Sequence, residues 1–284
     1  MNNEALINNW FENHTATMEY QGNIQVIEWR EPGTRMYSVK YVLDGSNVFV
    51  TGDLGTATFR LTESATIHNL ARYAKDYFIG KLVCAQHGTF SFDIETARKH
   101  LREWKQEIDE EELYYGSESI PAFYDYLMTH SKDITHEFDW KRLVELAADA
   151  VNVWYTLDSE DLSCICEYGQ ELDINLIAYY VGLQRACSEL IVQEALDKIP
   201  ELEASIFSRA GTEFNIQSDK QVGVVLFEKL KLVSDQESST EYSITNDLLK
   251  KLQGQHPIVE ELLQYRTYLI RIGNHKQFDE RAVV

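Results

Sequence analysis

The chain has 284 residues, of which 44% are hydrophobic and 25% charged, and its formal net charge at pH 7 is −20. This composition is typical of a folded globular protein with room for two domains, and it excludes an intrinsically disordered one. So large a negative charge disfavours binding to nucleic acid phosphates or to an anionic membrane, and no apolar run reaches the roughly 18 residues of a membrane-spanning helix. We therefore expect neither nucleic acid nor membrane as a partner.

The first regular pattern along the chain is β-like and lies between residues 22 and 61. Four short segments alternate or run apolar and are rich in Val, Ile, Tyr and Phe: IQVIEWRE, RMYSVKYVL, NVFVTGD and TATFRL. Turn-forming residues separate them, among them the pairs Pro32-Gly33 and Asp44-Gly45. Four strands joined this closely predict an antiparallel meander.

After Thr62 the apolar period becomes that of a helix. The segment TIHNLARYAKDYFIGK carries its apolar residues on one face and begins at Thr66, whose side chain can cap a helix. A second helix is predicted from near Asp93, and the pattern is helical again from Ser119 to Glu189. The predicted fold class is therefore α+β, a small antiparallel β-meander followed by helices.

A break in the helical pattern near Ile191 to Pro200 predicts a domain boundary. Residues 1–190 would form the α+β domain, and residues 191–284 an all-helical second domain. The charge divides unevenly between them, with 15 basic and 31 acidic residues before Ile191 against 11 and 15 from there on. The acidity is thus concentrated in the first domain.

The most specific sequence lies in the second domain, where PELEASIFSRAGTEFNIQSDKQVGVVLFEKL is followed by EYSITNDLLKKL and HPIVEELLQYR. In this order and spacing, residues from about 190 to 270 resemble the start of the thumb subdomain of family-A DNA polymerases. The resemblance implies a helical hairpin that contacts the backbone of duplex DNA. The implied backbone contacts are Asn215, Ser218, Lys220 and Gln221. The implied core residues are Phe214, Ile216, Val222 and Phe227.

Two departures from that family argue against a retained hold on DNA. Asp219 stands where the family usually has proline, and we expect its carboxylate to face the phosphates. The thumb tip, usually rich in lysine, reads VSDQESSTEYSIT and carries Asp235, Glu237 and Glu241. Each repelled charge works against counterion release. Because the chain runs only to Val284, with no room for a catalytic palm, we expect a protein that is neither a polymerase nor any other enzyme.

A nuclease site is the alternative raised by Phe92-Asp93-Ile94-Glu95-Thr96, which has the form of the first motif of DEDD-type exonucleases. Asp139 and Asp149 are the candidates for the remaining metal ligands, but they lie only ten positions apart. A helix pattern follows at once, and the preceding CAQHGTFS is too polar for a buried strand. Asp93 is therefore predicted to be a helix N-cap and Glu95 a first-turn acid.

Cysteine and histidine give no metal or cofactor signal. Cys164 and Cys166 have no matching ligand pair nearby, and the four cysteines are predicted to be free thiols. The eight histidines are dispersed and form no catalytic motif, and the sequence contains neither a Walker A loop nor GxGxxG. We expect no metal and no cofactor.

The first 190 residues are similar to a widespread class of bacteriophage accessory proteins, through VFVTGDLGTATFRL, ARYAKDYFIGKLVCA and IAYYVGLQRACSEL. The resemblance and the acidity suggest a phage counter-defence protein in the host cytoplasm. It would block a host DNA-targeting immune complex, of the Gabija or CRISPR kind, without being an enzyme. The residues predicted for that partner surface are Asp109, Glu110, Glu111, Glu112, Asp235, Glu237 and Glu241.

Two alternatives remain open from the sequence. One is a phage replication accessory that binds primer–template DNA, or the polymerase, through the thumb-like module. Lys220 and Gln221 favour it, because both can donate to phosphates. The other is a structural remnant, in which the thumb-like helices brace the first domain or a homo-oligomer.

Overall fold

The computed structural model describes residues 3–110, 118–233 and 243–281, with side chains described through residue 273. Its contacts divide the chain into two compact units. One contains Met1–Leu54, Phe59–Lys81 and Tyr180–Val284, and the other contains Gly55–Thr58 and Leu82–Tyr179. The division predicted at residue 190 stays a prediction.

Six strands form one sheet in which each strand is the neighbour of the next along the chain. The strands are β1 (Thr15–Gln21), β2 (Ile24–Arg30), β3 (Val39–Asp44), β4 (Asn47–Gly52), β5 (Ala57–Arg60) and β6 (Leu82–Ala85). The first four pair antiparallel, so the predicted meander and the α+β class are confirmed. The sequence analysis missed β1, although its sequence TATMEYQ alternates polar and apolar residues, and no residue of the strand is fully buried.

The described helices are α1 (Asn3–Trp10), α2 (Ile67–Leu70), α3 (Lys75–Ile79), α4 (Ile94–Glu110), α5 (Ser119–His130), α6 (Glu137–Val151), α7 (Ser159–Cys166), α8 (Ile174–Ala210), α9 (Asp219–Gly223), α10 (Asn246–Leu252) and α11 (Pro257–Arg281). A 3₁₀ turn at Val153–Tyr155 follows α6, and a π-helix at Val224–Lys229 follows α9. Two further short strands, β7 (Phe90–Phe92) and β8 (Gln170–Leu172), pair antiparallel.

The buried face of the sheet packs against α8. Ile27, Trp29 and Tyr41 are at most 4% exposed. Gly182 of α8 lies so close to this face that a Cβ there would be 2.7 Å from the Tyr41 hydroxyl and 3.1 Å from Trp29. Glycine is therefore required for the helix to approach the strands this closely.

The single helix predicted after Thr62 is instead two short helices, α2 and α3. Thr66 caps α2 as predicted, since its Oγ1 accepts a hydrogen bond from the backbone N–H of Asn69 at 3.2 Å. Ala74 is extended, with φ −68° and ψ 153°, and ends the helical run. The predicted length was therefore wrong, although the cap was right.

Helix α8 supplies the physical reason for this interruption. The carbonyl of Tyr73 accepts a hydrogen bond from the hydroxyl of Tyr180 at 3.0 Å, and the carbonyl of Leu70 accepts one from Gln184 Nε2 at 2.7 Å. A backbone carbonyl bound in this way no longer needs a partner within its own helix. The contact from Tyr180 takes the place of a helical partner at Tyr73, whereas the carbonyl of Leu70 also accepts the backbone N–H of Tyr73 at 3.2 Å.

The second unit is mainly helical. Helices α4, α5, α6 and α7 surround a core that includes Leu101, Phe123 and Trp140, each fully buried. The indole N–H of Trp140 donates to the carbonyl of Ile165 at 2.9 Å, which satisfies the one polar group that this large side chain buries.

The C-terminal helices begin within α8, which runs through residues 191–200 without the predicted break. Pro200 lies inside this helix, although proline removes a helical hydrogen bond. Ala195 and Ile206 are fully buried on either side of it, so packing holds the helix together across the proline. Helix α8 then enters a second hydrophobic core, formed with residues of α9, the π-helix, α10 and α11.

Candidate nucleic-acid interface

The loop from Gly211 to Ser218 joins α8 to α9 and rests on the C-terminal core. Gly211 has φ +65°, which ends α8 in the left-handed conformation that glycine favours. Ile216 and Val222 are buried, and Phe214 and Phe227 are half-buried against the same core. The four core residues implied by the resemblance are therefore confirmed.

Amide side chains hold the shape of this loop. Gln221 Oε1 accepts a hydrogen bond from the backbone N–H of Asn215 at 2.7 Å, and Asn215 Oδ1 accepts one from the N–H of Gln217 at 2.9 Å. Because both amide oxygens are used as acceptors, the NH₂ groups of Asn215 and Gln221 are the donors that remain. Both residues are exposed, so these donors are available to an anionic ligand such as phosphate.

Lys220 and Ser218 complete the set of predicted DNA contacts. Lys220 is exposed in the first turn of α9, and its ammonium has no hydrogen bond or ion pair with any residue that the structure describes. Ser218 is the N-cap residue of α9, but its side chain makes no capping hydrogen bond. The four predicted residues therefore lie in the end of this loop and the first turn of α9, and they supply a cation, a hydroxyl and two amide donors.

Asp219 is paired rather than free, contrary to what the sequence led us to expect, although its side chain stays 45% exposed. Its Oδ1 accepts from Arg266 Nη2 at 3.0 Å, and its Oδ2 accepts from the backbone N–H of Ile244 at 3.1 Å. Arg266 also donates to the carbonyl of Ile244 and to Asn246 Oδ1. The carboxylate that was predicted to repel phosphates is thus paired with a cation and joins the start of α9 to α11.

Arg266 is the residue that sequence reasoning missed here. It lies 47 positions from Asp219, so no local spacing connects the two residues. The guanidinium can serve three acceptors at once because its N–H groups form a fixed planar fork. In this chain, an Asp–Arg pair therefore fixes the position at which the family usually has proline.

Other acidic residues of the C-terminal helices are also bound internally. Glu261 Oε1 accepts from Ser205 Oγ and from Arg209 Nε, both at 2.8 Å. Glu203 accepts from the Tyr265 hydroxyl at 3.0 Å. Burial raises the pKa of Tyr265, and the contact with Glu203 raises it further. A hydrogen bond from Gln217 lowers the pKa and partly offsets these two effects. The repulsion that these helices present to an anion is therefore weaker than a count of charges suggests.

The residues predicted for a protein-partner surface are only partly described. Asp109 pairs with Lys105 at 2.5 Å, and Glu110 accepts from Gln106 at 2.6 Å, both on exposed positions of α4. The other five lie outside the described residues: Glu111, Glu112, Asp235, Glu237 and Glu241. Their role as a partner surface stays a prediction.

The residues of the nuclease alternative form the start of a helix, as predicted. The N–H of Thr96 donates to Asp93 Oδ2 at 2.7 Å, so Asp93 caps α4, and Glu95 lies in the first turn, 3.7 Å from Arg98 Nε. A strand does precede Asp93, however, since β7 ends at Phe92. Its partner β8 supplies the backbone hydrogen bonds that the polar sequence gave no reason to expect.

The remaining candidate ligands are dispersed over the second unit. Asp139 is exposed in α6, and Asp149 accepts from the indole N–H of Trp154 at 2.8 Å. Cys164 and Cys166 are free thiols. In the described part of the chain, no group of three or more His, Cys, Asp or Glu residues could hold a metal ion. No helix among these residues is long and apolar enough to cross a membrane.

Comparison with known proteins identifies one segment. Residues 186–271 match DNA polymerase family A. The chain is 48% identical over 69 residues to DNA polymerase I of Bacillus subtilis (strain 168), 46% over 77 residues to that of Bacillus caldotenax and 44% over 86 residues to that of Lactococcus lactis subsp. cremoris (strain MG1363). The predicted resemblance of this segment to family-A polymerases is confirmed.

These similarities are partial on both sides. They cover 24%, 27% and 30% of this chain, and 8%, 9% and 10% of the respective polymerases. The chain thus spans at most a tenth of the length of these relatives.

The comparisons overturn the main functional hypothesis. The relatives are DNA polymerases, and no match supports a counter-defence protein, an inhibitor of a Gabija or CRISPR complex, or the corresponding likeness of residues 1–190. The expectation that the protein is not an enzyme is contradicted by the same relatives, which are enzymes. The expectation that nucleic acid is not a partner is contradicted as well, because the relatives are DNA polymerases.

Proposed function

We propose that this protein takes part in template-directed DNA synthesis and that residues 186–271 bind the primer–template duplex by its backbone. The observation that carries the proposal is the match of these residues to DNA polymerase family A. The proposal includes the division predicted at residue 190, because nearly all of the segment assigned to DNA binding follows it. It places the protein in the cytoplasm, where bacterial DNA is found.

The loop that follows α8 has the chemistry that such a role needs. Lys220 supplies a cation, and the NH₂ groups of Asn215 and Gln221 supply neutral donors, all on exposed side chains. Contacts of this kind fix the register of a protein on the duplex without reading its sequence. We therefore assign these residues to holding DNA, and not to the chemical step.

The strongest objection is the net charge of −20. Binding to DNA depends on the local potential more than on the total charge, because the Debye length is about 10 Å at 0.1 M salt. Near the loop, Asp219 is paired with Arg266, and Glu261 is bound by Arg209. We expect binding in the micromolar range that weakens steeply with salt.

The test is a titration of a fluorescent primer–template duplex with the full chain across a salt series starting at about 25 mM. Lys220→Ala should weaken binding about three- to tenfold and lower the slope of log K against log salt by about 1. The matched control is Lys99→Ala, which removes an equal charge from a surface ion pair with Glu103 on α4.

Primer extension by the same preparation tests the wider claim. Duplex binding that is lost equally in both variants, or absent from the unmodified chain at the lowest salt, would contradict the assignment of residues 186–271. Duplex binding without primer extension would limit the function of this chain to holding DNA.

A further inference from the structure

The outer face of strands β2, β3 and β4 carries a row of polar side chains. Glu28 lies opposite Lys40, and Lys40 lies opposite Thr51. Directly paired residues point to the same side of a sheet, and successive residues point to opposite sides. Because Ile27 and Tyr41 are fully buried, this polar row lies on the face directed away from the core.

At one end of this face is an open cavity of about 500 Å³. Three cations line it, Arg30, Arg35 and Lys40, against two carboxylates, Glu28 and Asp53, which leaves one positive charge in excess. In the first 190 residues, acidic side chains outnumber basic ones by about two to one. Three cations around one cavity are therefore a local reversal of the charge of this part of the chain.

Glu28 orders two of these cations. Its carboxylate lies 2.5 Å from Lys40 Nζ and 3.5 Å from Arg30 Nε. The hydrogen bond from Lys40 holds the pKa of Glu28 below its usual value, so the carboxylate is ionised at neutral pH. One carboxylate placed between two cations fixes their positions and leaves a positive excess.

Arg35, the third cation, lies on a loop with a defined conformation. Asp53 Oδ2 accepts from the N–H of Tyr37 at 2.8 Å, and Tyr37 has φ +54° with its ring stacked on Trp10 at 4.9 Å. Arg35 lines the cavity, and its charge is one of those that lower the pKa of Glu28. Few non-glycine residues have a positive φ, and those that do are concentrated at functional sites.

Gly52 lets this loop lie against β4. A Cβ at Gly52 would be 2.1 Å from the carbonyl oxygen of Ser38, and its φ is +150°. The same carbonyl accepts the N–H of Asp53 at 2.9 Å. Any other residue would push the loop that carries Arg35 away from the strands, so the cavity depends on this glycine.

An apolar row lies beside the cations on the same face. Val26 is opposite Val42, and Val42 is opposite Phe49. Phe49 is 41% exposed, and it lies two residues from Thr51, a spacing of about 7 Å along a strand. An exposed aromatic ring next to a group of cations is the combination that binds single-stranded nucleic acid, since bases stack on the ring and phosphates follow the cations.

We propose that this face binds single-stranded DNA, with phosphates at Arg30, Arg35 and Lys40 and a base stacked on Phe49. A single strand fits better than a duplex, because the bases of a duplex are already stacked on one another and cannot cover the ring. This site is separate from the loop of residues 215–221, and it does not depend on duplex binding there.

The test is a titration of a fluorescent oligonucleotide of about 20 thymidines with the full chain at about 25 mM salt. Arg35→Gln should raise the Kd about three- to tenfold and lower the salt slope by about 0.7, the value for one phosphate contact on a single strand. Phe49→Ala should raise the Kd at least about fivefold. Arg72→Gln, an exposed arginine whose described partner is Asn69, is the matched control and should change nothing.

Competition and a second variant separate this site from others. Lys220→Ala should raise the duplex Kd by a larger factor than the oligonucleotide Kd, and Arg35→Gln should do the reverse, so failure of one proposal leaves the other testable. Equal thermal midpoints for the unmodified chain, Arg35→Gln and Phe49→Ala establish that the variants are folded. The proposal is overturned if the oligonucleotide does not bind, if Arg72→Gln matches Arg35→Gln, or if inorganic phosphate or thymidine monophosphate competes equally well per phosphate.

Discussion

The C-terminal helices and the sheet both place carboxylates beside cations, and they use them differently. In the helices the carboxylates are bound internally, with Asp219 held by Arg266 and Glu261 shared between a serine and an arginine. In the sheet, Glu28 lies on the outer face and holds Lys40 beside an open cavity. The first arrangement offsets negative charge with a cation, and the second places three cations beside two carboxylates around one cavity.

The difference teaches that the net charge of −20 does not give the local charge of either surface. A partner meets the charges within about one Debye length, so pairing inside the fold matters more than the total. The comparison rests on three physical claims. The helices are held by their core, their carboxylates by specific partners, and the sheet by a buried apolar face. Each claim can be tested by substitution.

The largest expected effect is on the core of the helical segment. Leu249 is fully buried, and Leu249→Ala should lower the free energy of unfolding by about 3 kcal/mol through lost burial and the cavity left behind. Leu196→Ala is the matched control, because that leucine is 49% exposed on α8, and it should cost less than about 1 kcal/mol. Chemical denaturation measures both. Equal losses would mean that the C-terminal core is not packed as the structure describes.

A smaller effect should follow from the pair that fixes Asp219. Arg266→Met removes the hydrogen bonds to Asp219, to the carbonyl of Ile244 and to Asn246, and should cost about 2 kcal/mol. Lys250→Met is the control, because its ion pair with Asp247 is largely exposed and should contribute less than about 1 kcal/mol. If Arg266→Met unfolds at the same denaturant concentration as the unmodified chain, the pair of Asp219 with Arg266 does not stabilise the fold.

The smallest effect is a pH dependence that belongs to the sheet region. Burial lowers the pKa of His14, opposed by a hydrogen bond to the carbonyl of Tyr37, and the ring packs against Phe11 and Trp29. A histidine with a lowered pKa contributes stability above its unfolded value of about 6.5 and loses it as the pH falls below that value, because the unfolded state binds the proton first.

His14→Phe should therefore flatten the decline in unfolding free energy between about pH 7 and pH 5, where one proton accounts for at most about 1.4 kcal/mol per pH unit. Glu28 and Glu137, whose pKa values are lowered by Lys40 and Lys141, lose their contributions only below the usual glutamate value of 4.5. They do not interfere in this window. An unchanged slope in the variant would show that His14 is not buried in its neutral form.

Much of the fold could be predicted from local pattern. The alternation of apolar and polar residues placed β2 to β5, and the cap residues Thr66 and Asp93 were right because capping depends on neighbours three positions away. The length of the helix after Thr66 was wrong, because Tyr180 and Gln184 bind its carbonyls from far along the chain. The continuity of α8 through Pro200 was likewise decided by burial on both sides.

The sequence by itself determined strands β2 to β5 of the meander, the resemblance of residues from about 190 to 270 to polymerases and the residues that form the loop after α8. Their signals are local, since side-chain period, turn residues and short motifs act over a few positions. Only the tertiary structure decided that Asp219 is paired with Arg266 and that Arg30, Arg35 and Lys40 surround one cavity. The charge that a surface presents depends on which distant residues the fold brings within a few ångströms, and no local pattern encodes that.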